Sequence, residues 1–199
     1  MAEIKLVPRS EVDPSITWDM TLLYPSDEAF YAELDNVKKE MKAFKEKYEN
    51  KLGDLEVLDE AIRQYESIEL AVYRASHYAE LPMTVDRLNP KVVENATAFE
   101  EVSVSYAENM SFVMTELISL DEAFLNQFVA EKRTDLAYFV EKVIRQKKHT
   151  LSKDAEQVLS NLSSLPGFYQ LYEVTKHEDM QFESFEANGK TLENSFVLY

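Results

Sequence analysis

The chain has three histidines, His77, His149 and His177, and each is a candidate ligand or proton carrier. His77 precedes Glu80 by three residues and His177 follows Glu173 by four, so each pair falls on one face of a helix. His149 comes directly after Lys147-Lys148. His177-Glu178-Asp179-Met180-Gln181 opens like the zinc-peptidase pattern His-Glu-x-x-His, in which two histidines one turn apart hold the metal and the glutamate activates water. Gln181 stands where the second histidine is required, so the ligand pair is incomplete. Zinc takes three or four donors, and none of the three histidines gathers that many nearby. They read as surface or boundary residues, and no metal ligand, catalytic residue or cofactor contact is assigned to the chain.

Other chemistry is equally sparse. With 3 Gly the chain has no phosphate-binding loop, no Gly-x-Gly-x-x-Gly and no Gly-x-Ser-x-Gly. Carboxylates are so abundant that neighbours such as Glu100-Glu101 single out no acid or base. A net charge of −16 argues against nucleic-acid and anionic-membrane partners, since phosphate surfaces select basic faces. The lack of Cys excludes disulfides and thiolate metal sites and fits a cytoplasmic protein. No apolar run is long enough to span a bilayer, and residues 1–12 lack the hydrophobic core of a signal peptide.

The elements that would position any site are helical. Leu55–Leu81 contains no Gly or Pro, and Leu58, Ile62, Tyr65, Ile68, Val72, Ala75 and Ala79 recur at steps of three and four. From Ile68 onward a second face is apolar as well, through Leu70, Ala71, Tyr73, Tyr78 and Leu81, which predicts a helix sandwiched between neighbours. Pro82 should end it. Asn89-Pro90 then supplies a cap and a first helical proline for a second long helix, to about Leu120, with the stripe Val92, Ala96, Phe99, Val102, Tyr106, Met110, Val113 and Leu117. A short connection makes the two an antiparallel pair. Before them, Ser26 or Asp27 caps a helix whose residues Phe30, Leu34, Val37, Met41, Phe44, Tyr48 and Leu52 keep heptad-like spacing, with Gly53 as its stop. The arm 1–17 is polar, and Trp18, the only Trp, is expected to pin it onto the helices.

After the long pair, Asp121 caps a short helix to about Ala130. An amphipathic helix starts near Thr134-Asp135, with Leu136, Phe139, Val140, Val143 and Ile144 on one side and cations in its last turn. Ser152 opens a further helix bearing Ala155, Val158, Leu159 and Leu162, and a last one covers about Phe168–Thr175. Asn188-Gly189 between Gln181–Ala187 and Lys190–Glu193 is a strong hairpin signal. The expectation is a mainly α fold, a bundle of about six to seven long antiparallel helices with a small C-terminal β-hairpin. Its parts are an arm 1–25, a helical lobe 26–178, and a segment 179–199 that leads on to a further domain. Phe196-Val197-Leu198-Tyr199 is an apolar stop, where natural ends are usually polar, so the chain is expected to be a piece of a longer protein. Exposed strand edge and apolar residues after Asp179 (Phe182, Phe185, Phe196, Val197, Leu198, Tyr199) would then leave this segment mobile or self-associating through the hairpin.

Three stretches resemble one family. Arg9-Ser10-Glu11-Val12, Thr17-Trp18-Asp19-Met20 and Leu23-Tyr24-Pro25-Ser26 together resemble the opening of oligoendopeptidase F, a zinc metallopeptidase of the thimet-oligopeptidase-like class. Tyr78-Ala79-Glu80-Leu81 with Asp86 and Asn89, and His149-Thr150-Leu151-Ser152 with the later Asn188-Gly189-Lys190, are similar to it too. The resemblance implies an N-terminal helical lobe that walls a channel for short peptides. It also implies a catalytic part further on, whose His-Glu-x-x-His and downstream Glu bind zinc. No residue of 1–199 matches those, so only fold, context and substrate class carry over, and the chain alone is expected to be inert. The alternative is a self-contained acidic helical scaffold or interaction module, favoured by the heptad-like stripe from Phe30 to Leu52. Peptide specificity, channel-lining residues and oligomeric state are not legible.

Overall fold

The computed structural model describes residues 11–150, 172, 175 and 183–192. Its internal contacts divide the chain into two units, Met1–Lys148 and His149–Tyr199. The fold is mainly α, as expected, with five α-helices and one hairpin among the described residues. The helices expected over Ser152–Leu162 and Phe168–Thr175 lie outside the described residues, apart from Tyr172 and Thr175.

The first unit is built on three long helices, α1 (Asp27–Tyr48), α2 (Leu55–Met83) and α3 (Pro90–Ser119). Each starts at a side-chain cap that satisfies orphan N–H groups. Ser26 accepts from Ala29 N–H, Asp54 from Glu56 and Val57, and Asn89 from Lys91. The heptad-like stripe of α1 is wholly buried from Phe30 to Tyr48, and Leu52 is buried just beyond the helix. It packs into α2, through Leu58, Ile62, Ile68, Ala75 and Ala79, and α3, through Phe99, Val102, Met110, Val113 and Leu117. Tyr65, Val72 and Tyr106 lie partly buried at the rim.

Helix α4 (Glu122–Glu131) follows the Asp121 cap, and α5 (Ala137–Lys147) follows a 3-10 turn at Thr134–Leu136. Leu125 and Phe128 of α4 and Val140 and Val143 of α5 enter the same core. Phe139, expected on that inner side, is exposed at its edge. In the second unit the hairpin pairs β1 (Phe185–Ala187) with β2 (Lys190–Leu192), antiparallel, in the register Phe185↔Leu192, Glu186↔Thr191 and Ala187↔Lys190. Asn188 and Gly189 both take positive φ, 54° and 72°, which a two-residue turn of this hand requires.

Four expectations need correction. Gly53 does not stop α1: the helix ends at Tyr48 and Asn50 makes the turn at φ 62°. Asparagine tolerates this left-handed conformation almost as glycine does. Pro82 does not end α2, which runs on to Met83 with the proline in its last turn. The helix stops immediately afterwards, and the Pro82 carbonyl accepts from Val85 and Asp86 in the turn. Trp18 does not pin the arm, being 88% exposed. Tyr24 does so instead, 5.7 Å from the Phe30 ring and 5.4 Å from that of Tyr78, both edge-on. Finally, the C-terminal half of α2 is not sandwiched, because Leu70, Tyr73 and Leu81 are 63, 65 and 40% exposed.

Candidate functional site

The polar clusters of the first unit tie helices together. At the end of the bundle where α1 begins, Asp27 accepts from the Tyr78 hydroxyl of α2 at 2.9 Å and from the Asn95 amide of α3 at 3.0 Å. The Tyr31 hydroxyl donates to Asn95 Oδ1 at 2.7 Å, and Lys91 Nζ stands 3.6 Å from Asp27 Oδ2. Burial opposes ionisation of Asp27, but the Tyr78 hydroxyl, the Asn95 amide and Lys91 outweigh it and hold the carboxyl below its usual range. Burial and the bond to Asp27 push the Tyr78 hydroxyl up to about 12. A carboxylate so ringed with donors is a fastener. It has little left with which to take a proton from a substrate at neutral pH.

Halfway along, the Tyr65 and Tyr106 hydroxyls meet at 2.8 Å between α2 and α3. Burial, then the neighbouring Glu69 and Tyr65, raise the Tyr106 hydroxyl above its ordinary value, so it stays protonated. One residue along α2 from Tyr65, at Glu66, Arg133 is buried and forks onto two carboxylates. It donates to Glu66 at 2.7 and 3.1 Å and to Asp135 at 2.7, 2.9 and 3.2 Å. This holds the turn between α4 and α5 on α2 through planar, bidentate pairing. Sequence patterning could not find these clusters, since the bonds that cross between helices join residues 41 to 68 positions apart or reach into an irregular turn.

The candidate ligands fall differently. The ring of His77 rests on Tyr73, centroids 4.4 Å apart, and its Nδ1 is 2.7 Å from the Tyr73 carbonyl of its own helix. Glu80 is exposed on the same helix, and no bond joins the two among the described contacts. His149 is exposed just beyond α5. Glu173, His177 and Gln181 lie outside the described residues. Glu101 pairs with Lys38 at 3.4 Å across α1 and α3. Among the described residues no group of three His, Cys, Asp or Glu could hold a metal ion, so they do not fit the zinc that the family resemblance implies. No described helix is long and apolar enough to cross a membrane.

Known proteins place this fold. The sequence family described as oligopeptidase F matches residues 116–182. An oligoendopeptidase F homolog of Borreliella burgdorferi is 25% identical over 192 residues, which is 96% of this chain and 32% of that protein. The oligopeptidase PepF of Bacillus subtilis is 28% identical over 194 residues, 94% of this chain and 29% of that protein. A crystal structure of a protein assigned as a peptidase from Chlamydophila abortus superposes with a TM-score of 0.65 at 23% identity, covering 98% of this chain and 33% of the other; this is a likeness of fold. The chain thus spans about a third of the length of the curated relatives it matches. By these matches the chain is similar, over nearly its whole length, to about a third of the length of the oligoendopeptidase F proteins.

Proposed function

We propose that this chain is the N-terminal lobe of a longer, cytoplasmic zinc oligopeptidase. It shapes the enclosure in which short peptides reach a metal centre carried elsewhere in the protein, and it hydrolyses nothing by itself. The observation that carries the reading is the alignment of 96% of the chain with 32% of an oligoendopeptidase F homolog. In this reading residues 1–25 are the arm, 26–178 the lobe, and 179–199 lead toward the part that bears His-Glu-x-x-His. The hairpin in that last segment, with Phe185 and Leu192 exposed, is an edge through which the isolated chain would self-associate.

The scaffold alternative gains no support. Its basis was the stripe from Phe30 to Leu52, and that stripe is spent on α2 and α3 within the chain. A buried seam has nothing to offer a partner helix.

The test has two parts. The native reading frame is expected to run past Tyr199 and to encode His-Glu-x-x-His; a stop codon directly after Tyr199 would sink the proposal. Residues 1–199 are expected to leave a set of short quenched peptides intact with zinc added. Hydrolysis that a chelator abolishes would show that the lobe holds its own metal site.

A further inference from the structure

The outward side of α2 changes character at Leu70. Before it, Arg63, Glu66 and Ser67 are exposed there; after it, Leu70, Tyr73, His77 and Leu81 follow at steps of three and four and so form one stripe. The outward side of α1 is quite different, with Asp35, Lys39, Lys42 and Glu46 in solvent. A chain with a net charge of −16 has charge available, yet it leaves this stripe apolar. Arg74, beside the stripe, donates to the Leu23 carbonyl at 2.7 Å and lies over the Tyr24 ring at 5.4 Å. That fixes the Met20–Leu22 turn next to α2 while Leu22 and Trp18 remain exposed. Trp and Tyr held in the open are the residue types that anchor interfaces.

We infer that the Leu70–Tyr73–His77–Leu81 stripe and the Trp18–Leu22 turn together seat the remainder of the longer protein, as the lobe's contact with the polypeptide beyond residue 199. The inference rests on the proposed function and names which face of the lobe is covered. Its warrant is length together with apolarity. Relatives aligned to nearly all of this chain devote only about a third of their residues to the match, so a larger body must be fastened to a lobe of this size. Interfaces between domains of one chain bury roughly 600–1,500 Å². An exposed apolar patch rimmed by charge, here Arg63, Glu66, Arg74 and Glu80, is the usual mark of such a contact.

The test compares residues 1–199 with the full product of the native gene by hydroxyl-radical footprinting read at single residues. Trp18, Leu70, Tyr73 and Leu81 are expected to be oxidised several-fold more slowly in the longer product, while Tyr138, exposed on α5, serves as the reference. Equal oxidation in both overturns the inference and leaves the proposed function standing. A gene that ends at residue 199 removes the proposed function and the occupant together. Self-association of 1–199 that Leu70→Glu with Tyr73→Glu abolishes, with helicity retained, would assign the face to a second copy and overturn the inference. In the longer product the same double variant is expected to restore fast oxidation of Trp18.

Discussion

Asn95 on α3 and Asp27 on α1 meet at 3.0 Å, amide to carboxylate, at the centre of the polar cluster that joins the three long helices. Asn95 is 7% exposed and both ends of its amide are used, since the Tyr31 hydroxyl occupies its carbonyl. Replacing Asn95 with Leu removes a donor from Asp27 and an acceptor from Tyr31. A buried polar group left without its partner costs about 1–3 kcal/mol. Asn95→Leu is therefore expected to lower stability by about that amount in urea titration, and a variant as stable as wild type would show that the pair is idle.

The same carboxylate sets a pH dependence. Asp27 titrates below its ordinary value of 3.8 in the folded chain. A depressed folded value means that the stabilisation is complete above the unfolded value and is lost as pH falls through the folded one. The stability gap between wild type and Asp27→Asn is expected to be full at pH 6 and to close as pH drops below about 4. A gap independent of pH over that range would mean that the charge on Asp27 does not contribute.

Tyr78 works in the opposite direction. Its hydroxyl is raised to about 12 from an ordinary 10.0. The unfolded chain therefore gives up this proton first, and stability is full below pH 10 and lost between 10 and about 12. Tyr78→Phe is expected to be less stable than wild type at pH 8. The difference is expected to shrink across the alkaline window, as followed by the helical circular dichroism signal. Tyr24, Tyr65 and Tyr106 are raised as well, so the comparison with the variant isolates Tyr78.

Helix periodicity was readable because each long helix buries one stripe, and caps were readable because Ser26, Asn89 and Asp121 act within three residues. What failed to show was anything decided by a distant partner. Trp18 and Tyr24 are both large aromatics at the end of the arm, but only Tyr24 finds the Phe30 and Tyr78 rings waiting for it. Apolar residue types alone likewise could not reveal whether Leu70 and Tyr73 have a neighbour. The incomplete zinc-peptidase pattern was legible for the opposite reason: His-Glu-x-x-His is local, and Gln181 visibly stands where its second histidine belongs.

The turn after α1 tests local strain. Asn50 sits at φ 62°, and its N–H, with that of Leu52 at 3.4 Å, donates to the Glu116 carboxylate of α3. Asn50→Gly keeps the backbone at ease, whereas Asn50→Ala forces a β-carbon into left-handed geometry at a cost of roughly 1–2 kcal/mol. Asn50→Ala is expected to fall below Asn50→Gly in thermal stability. The reverse order would mean that the asparagine side chain, not the backbone angle, matters there.

Arg133 offers the sharpest separation between charge and shape. Its guanidinium reaches Glu66 and Asp135 through both faces of its fork, while its own side chain is 8% exposed. Those bonds, and not charge alone, hold it well above its ordinary value, the pair with Asp135 contributing most and that with Glu66 next. Lysine would bring the same charge but a single point of contact. Arg133→Lys is therefore expected to behave like Arg133→Met, with both losing about 1–3 kcal/mol. Amide exchange should accelerate in the Thr134–Leu136 turn and the first turn of α5, while α1 remains protected. Full rescue by lysine would mean that an unspecific positive charge fixes this turn, and the fork geometry would lose its claim to a role.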